Sequence, residues 1–139
     1  MMNVGGSDAC AELRELNRNT FLAEERRNIG ENSWREFLEQ CLAEDFVIRR
    51  ARADLPNQNR RHMLGWIEQT SVVERTIRDD EAVAWCTDNL GVVACPVEMV
   101  RDGAVHRYQN VKVFRKHPSR SWQCVYWQVT ESPMTQGPG

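Results

Sequence analysis

The sequence has little lysine and no excess of basic charge. Only Lys112 and Lys116 are lysines among 18 basic residues, and 20 acidic residues leave a net charge of -2. This balance argues against a dedicated nucleic-acid-binding protein, which usually carries a clear basic excess. No apolar run is long enough to span a bilayer, and residues 1–10 lack the basic and apolar regions of a signal peptide. We therefore expect a cytoplasmic protein with neither a nucleic-acid nor a membrane partner.

The sequence also lacks the spacings that bind metals, phosphates or cofactors. No Cys-x-x-Cys pair occurs, and His62, His106 and His117 are too scattered to complete a zinc site. There is no glycine-rich phosphate loop, no Gly-x-Ser-x-Gly and no paired-carboxylate motif. We expect no metal, no cofactor, and five reduced cysteines that behave mostly as small buried apolar residues.

What the sequence does contain is the composition of one globular domain over residues 1–139. Hydrophobic residues make up 41% and charged residues 27% of the chain, which is typical of a folded rather than a disordered protein. We expect an ordered core from about residue 8 to 131. The tail at 132–139, with two prolines and two glycines, is expected to be flexible.

Helical periodicity occupies the first half of the chain and strand periodicity the second. Ser33 and Glu36 have capping-box spacing at the start of the second helix, and Asp102-Gly103 is a strong hairpin signal. Helices are expected at about 7–27, from 32 or 33 to about 42, and at 58–69 with Asn57 as the cap. Strands are expected at 46–51, 72–78, 82–87, 91–100, 104–116 and 121–130.

This order of elements predicts an α+β fold. We expect three N-terminal helices packed on a strongly curved, mostly antiparallel sheet, in a cone-shaped arrangement. A bent sheet with helices across its concave side leaves a hollow, and such hollows hold small ligands.

Three stretches resemble the nuclear transport factor 2-like superfamily, which includes ketosteroid isomerases, polyketide cyclases and scytalone dehydratases. The chain is similar to SnoaL-like proteins and to ketosteroid-isomerase-like domains over about residues 8 to 131. The stretches are CLAEDFVIRRA at 41–51, PVEMVRDG at 96–103, and NVKVFRKHPSRSW at 110–122 followed by YWQVT at 126–130.

The resemblance implies the fold and the pocket, but not the isomerase chemistry. Arg50 falls where those isomerases carry a carboxylate base, and arginine stays protonated at neutral pH. Asn110 falls at the position of the oxyanion acid, and the tyrosine of the first helix has no clear counterpart.

The pocket residues follow from the alternation of the last two long strands. With the orientation that the resemblance implies, His106, Tyr108 and Asn110 on one strand and Cys124, Tyr126 and Gln128 on the next face the hollow. His106 with Tyr108 is the candidate catalytic pair, because histidine titrates near neutral pH. The candidate ligand-binding residues are Arg50, Trp66, Asn110, Cys124, Tyr126 and Gln128.

Three functions stay open at this point. The first is a domain that binds a small molecule in a polar conical pocket, with an anionic organic ligand favoured by five arginines between residues 49 and 61. The second is an isomerase, dehydratase or cyclase that uses His106 with Tyr108 and Asn110. The third is an interaction module that forms a homodimer through the open face of its sheet, without a ligand.

Overall fold

The structure is a computed structural model that describes residues 7–118 and 121–133. It contains three α-helices: α1 at Ser7–Glu24, α2 at Trp34–Cys41 and α3 at Arg60–Gln69. The capping box at the start of α2 is confirmed. The Ser33 side chain accepts a hydrogen bond from the Glu36 backbone, and the Glu36 carboxylate accepts one from the Ser33 backbone.

Among the described residues, seven strands build one curved sheet, and together with the helices they form the α+β fold that the sequence predicts. The sheet order is β2-β1-β7-β6-β5-β3, and β4 also pairs with β5. All pairs are antiparallel except β1 with β7, which run parallel. The strands are β1 Leu42–Arg49, β2 Gln58–Asn59, β3 Thr76–Ile77, β4 Val83–Cys86, β5 Leu90–Arg101, β6 Ala104–Lys116 and β7 Trp122–Glu131.

The predicted hairpin at Asp102-Gly103 is confirmed and organises the largest part of the sheet. Both residues have positive φ, 51° and 76°, which is the backbone that a tight two-residue turn between twisted strands requires. From this turn β5 and β6 pair in register along their whole length, from Arg101↔Ala104 to Leu90↔Arg115.

Several boundaries differ from expectation: α1 ends at Glu24, and β1 spans Leu42–Arg49 rather than 46–51. Two further differences have local reasons. Helix α3 begins at Arg60, and its cap is Asn59, whose side chain accepts from the His62 backbone, rather than Asn57. The expected strand at 72–78 is reduced to Thr76–Ile77. Residues 71–75 run as an irregular strap, because Arg75 is anchored by ion pairs to Glu24, the last residue of α1, and to Glu25, which follows it.

The core lies between the helices and the inner face of the sheet. Phe21 of α1 meets Trp127 of β7 edge to face, with ring centroids 5.5 Å apart. Burial of such large aromatic side chains supplies much of the stability of a domain this size. In the described part of the chain, no helix is long and apolar enough to cross a membrane. The predicted tail falls mostly at 134–139, outside the described residues.

Candidate functional site

A cavity of about 370 Å³ opens between the end of α1, α3, the strap at 71–75 and the inner face of β5, β6 and β7. Of the eight residues expected to form the site, four line this cavity: Arg50, Trp66, Tyr108 and Asn110. They come from three segments that meet at one end of the sheet: the residue directly after β1, helix α3 and strand β6. The cavity holds both charged and apolar walls, as a site for a small organic molecule does.

Arg50 lies at the rim, directly after β1, with its guanidinium over the Trp66 ring at 5.5 Å. Its Nε donates to Gln58 Oε1 at 3.2 Å, and its Nη1 lies 3.6 Å from Glu24 Oε2. The remaining nitrogen, Nη2, is buried and has no hydrogen-bond partner among the described residues. A buried donor of this kind needs a partner, which a bound ligand can supply.

Glu24 is a counter-charge in the wall of the cavity. Its carboxylate lies 3.0 Å from Arg75 Nη1 and is almost wholly buried. Burial by itself raises the pKa of Glu24, but the neighbouring charges of Arg75, Arg50 and Lys112 outweigh it and hold the pKa below its usual value. Glu24 is therefore ionised at neutral pH and orients arginines rather than accepting a proton.

Tyr108 and Asn110 face the cavity from β6. The Tyr108 hydroxyl is buried with no partner among the described residues, and the Arg101 guanidinium lies 5.6 Å from the ring centre. Burial raises the pKa of Tyr108, so that its hydroxyl keeps its proton and can donate it in a hydrogen bond. Asn110 is held in place because its Oδ1 accepts from Trp127 Nε1 at 2.8 Å.

His106 lies outside the cavity wall, at the turn end of β6. Its Nδ1 is 2.9 Å from Glu131 Oε2, and it is Glu131 that lines the cavity. The two residues expected to act as a catalytic pair are thus separated, since Tyr108 lies in the wall and His106 does not.

A β-bulge explains where the β7 residues lie. Phe114 pairs with Cys124, whereas Val113, directly before it in the chain, pairs with Tyr126. Val125 therefore has no partner on β6 and is an extra residue in β7. Cys124 faces inward and is buried in the core. Tyr126 and Gln128 pair with Val113 and Val111 and therefore lie on the outer face. The expectation that these two face the hollow is wrong, and Trp127 and Val129 occupy the inner face instead.

Lys112 is a feature to which the sequence analysis gave no role. It lies on the inner face of β6 and is fully buried, with its Nζ donating to Asn17 Oδ1 at 2.9 Å, to Asn17 O at 3.2 Å and to Thr20 Oγ1. Nζ also lies 3.5 Å from the Phe21 ring centre and 3.9 Å from that of Trp127. Burial lowers the pKa of Lys112 to about 7. The sequence signal that could have identified this buried lysine was its place among the inward-facing positions of a long alternating strand.

The arginines near β1 do not act together. Arg52 lines the cavity but pairs with Asp54 at 2.7 Å, and Arg60 donates to the carbonyls of Glu39 and Leu42. Arg61 is exposed on α3. The cavity instead gains Arg75 and Arg101, which lie far along the chain and could not be grouped with Arg50 from the sequence.

Solved structures with the same architecture include several of nuclear transport factor 2-like type. An NTF2-like protein of unknown function from Pseudomonas putida has a TM-score of 0.70 at 12% identity, over 96% of this chain and 92% of that one. A ketosteroid isomerase-like protein from Erwinia carotovora atroseptica has 0.68 at 15% identity, over 92% and 100%. The S. rosetta CaMKII hub has 0.66 at 12% identity, over 93% and 98%.

These likenesses show that the chain has the nuclear transport factor 2-like fold. At such low identities they concern the fold alone, and one fold hosts many functions. No protein-family model matches the sequence, and no curated protein matches it.

Proposed function

We propose that this chain is a single domain, located in the cytoplasm, that binds a small organic anion in the cavity. Arg50 and Tyr108 provide the observation that carries the proposal. Each presents a buried donor without a partner among the described residues, and both residues line the same cavity. An arginine nitrogen and a phenolic hydroxyl both donate to carboxylate oxygens, and such charge-assisted bonds are the stronger kind.

The charges around the cavity favour an anion. Five arginines and three glutamates line it. Glu24 and Glu25 are already paired with Arg75, and Arg101 forms no ion pair with any described residue. A negatively charged ligand would therefore meet uncompensated positive charge at the mouth of the cavity.

The apolar part of the wall favours a ligand with a hydrocarbon or aromatic body. Val97, Met99 and Val129 line the sheet side of the cavity. Val72 and Val73 line it from the strap, and each is 52% exposed. A ligand that covers these two valines would remove apolar surface from water, which stabilises the complex.

A thermal-shift screen of small carboxylates, sulfonates and phosphates, followed by calorimetry on the best ligand, tests the proposal. We expect at least one anion to raise Tm, and we expect Arg50→Ala to weaken its binding about 10- to 100-fold, since a hydrogen bond to a charged group contributes about 1.5 to 3 kcal/mol. Tyr108→Phe removes only the hydroxyl and should weaken binding less.

The matched control is Arg49→Ala, because Arg49 is exposed and does not line the cavity. It removes the same charge from the neighbouring position and should leave affinity nearly unchanged. If no anion stabilises the protein, or if both alanine variants bind equally well, the anion site is not at Arg50.

The alternative of an isomerase, dehydratase or cyclase has one supporting contact. Glu131 lines the cavity and touches His106, so a proton could pass between His106 and a ligand only by way of Glu131 or water. Because His106 itself does not line the cavity, we favour ligand binding over isomerase, dehydratase or cyclase catalysis.

We also propose that two copies of this chain associate through the outer face of the sheet. Besides Val72 and Val73, the exposed large apolar side chains among the described residues all lie on that face. They are Trp85, Leu90, Val100 and Val105. An exposed apolar face of this kind is typical of an interface, and the similar S. rosetta structure is described as a hub.

Light scattering after size-exclusion chromatography tests this association. Val113 lies on the outer face between Val92 and Tyr126. We expect twice the chain mass for the wild type and a monomer for Val113→Arg. Glu68→Arg on the exposed side of α3 is the control and should stay dimeric. A monomeric wild type at micromolar concentration would refute the dimer.

A further inference from the structure

The sulfur atoms of Cys10 and Cys86 lie against each other in the core, although the two residues are 76 positions apart in the chain. Their Sγ atoms are 2.9 Å apart, and both side chains are buried. Cys10 lies in the first turns of α1, and Cys86 ends β4. This thiol pair plays no part in the cavity or in the proposed binding of an anion.

The packing of α1 on the β4–β5 hairpin explains this proximity. Cys86 pairs with Gly91 across the hairpin. A Cβ atom at Gly91 would collide with Cδ1 of Leu13, so the missing side chain lets the helix approach the sheet closely at this point. Cys10 precedes Leu13 by three residues and therefore lies on the same face of α1, one turn earlier, over Cys86.

We propose that Cys10 and Cys86 form a disulfide bond when the protein meets a peroxide, and that this bond fastens α1 to the β4–β5 hairpin. The sulfurs must approach from 2.9 Å to the S–S bond length of about 2.05 Å, a movement of under about 1 Å. The helix and the hairpin already meet at Leu13 and Gly91, so the approach needs no rearrangement of the fold.

The chemistry balances with hydrogen peroxide as the oxidant. One sulfur attacks a peroxide oxygen, the O–O bond breaks, and a sulfenic acid and water result. The second sulfur then attacks the sulfenic sulfur, the S–S bond forms, and the oxygen leaves as a second water. Together the two thiols lose two electrons and two protons, and the peroxide is reduced to two molecules of water.

The reaction should be slow at neutral pH and faster in mild alkali. Burial, together with the Cys10 thiol beside it, raises the pKa of Cys86 to about 11, which keeps its thiolate fraction low. Hydrogen peroxide is small enough to reach this buried pair through brief local openings of the fold. A bulky disulfide reagent would reach the pair less readily.

The test uses the full-length chain, reduced, freed of reductant and treated with hydrogen peroxide while folded. The protein is then unfolded in the presence of an alkylating reagent, and its mass is measured by mass spectrometry. We expect a loss of two hydrogens and alkylation of three cysteines instead of five. Peptide mapping should place the link between Cys10 and Cys86. Five alkylated thiols, or a link between any other pair, would overturn the proposal.

Variants supply a second readout. The oxidised wild type should melt about 10 °C higher than the reduced protein, because the bond closes a long loop in the unfolded chain. Cys10→Ser and Cys86→Ser should abolish both the link and the shift. Cys95→Ser, which alters another buried cysteine, should keep both. If the first two variants do not fold, the map of the wild-type protein decides the question by itself.

Discussion

The buried ammonium of Lys112 should make the stability of this protein depend on pH in a defined direction. Burial lowers its pKa from 10.5 to about 7 in the folded state. Between these two values the unfolded chain binds more protons than the folded chain. The free energy of unfolding therefore rises with pH across this window, and the cost of burying the charge is greatest below pH 7.

Lys112→Met removes the titrating group and keeps most of the side-chain volume. The substitution leaves Thr20 Oγ1 bonded to Asn17 O at 2.6 Å, but Asn17 Oδ1 loses its donor. The prediction concerns how the difference in unfolding free energy between wild type and variant changes with pH, and not its value at one pH. From pH 7 to pH 8.5 this difference should shift by about 1 to 2 kcal/mol in favour of the wild type.

Urea unfolding followed by tryptophan fluorescence, in the presence of a reductant, measures this difference. The upper limit of pH 8.5 stays below the range in which the buried cysteines dominate. Burial raises the pKa of Cys41, for example, to about 12, so that above about pH 9 this thiol lowers the free energy of unfolding of the protein. Lys116→Met, at an exposed position of the same strand, is the control and should show no slope. A constant difference for Lys112→Met would refute the lowered pKa.

Two further predictions concern single contacts. Gly91→Ala should lower the free energy of unfolding in urea by about 1 to 3 kcal/mol, because the new methyl group collides with the buried Leu13 side chain. Combining it with Leu13→Ala in the same chain should reduce the cost of Gly91→Ala. Additive effects of the two substitutions would contradict the contact. Ser33→Ala should cost about 1 kcal/mol by removing the cap of α2, whereas Ser71→Ala, outside any helix, should cost far less in the same assay.

The inner face of β6 could be predicted from the sequence because its pairing is regular. Alternation placed Tyr108 and Asn110 on one face, and the unbroken register with β5 keeps them there. The same argument failed on β7, where Val125 is an extra residue. Apolar residues stand on both sides of the bulge, so the hydrophobic pattern carried no sign of it.

Long-range ion pairs account for the rest of the difference. Val72 and Val73 favour a strand by composition, but Arg75 ties the segment to Glu24 and Glu25, fifty residues earlier in the chain. Arg50, by contrast, directly follows β1, and this position alone brings it to the cavity. Arg101 lies on a different strand, far from Arg50 in the chain, and only the folded sheet shows that both residues line one cavity.

The binding of an organic anion by Arg50 and Tyr108 is the central claim, and a crystal structure with the most stabilising anion from the screen tests it most directly. We predict that the anionic group lies within hydrogen-bond distance of Arg50 Nη2 and the Tyr108 hydroxyl, with the ligand body against Met99 and Val129. A ligand bound elsewhere on the protein, or one that enters the cavity without touching Arg50, would contradict the claim.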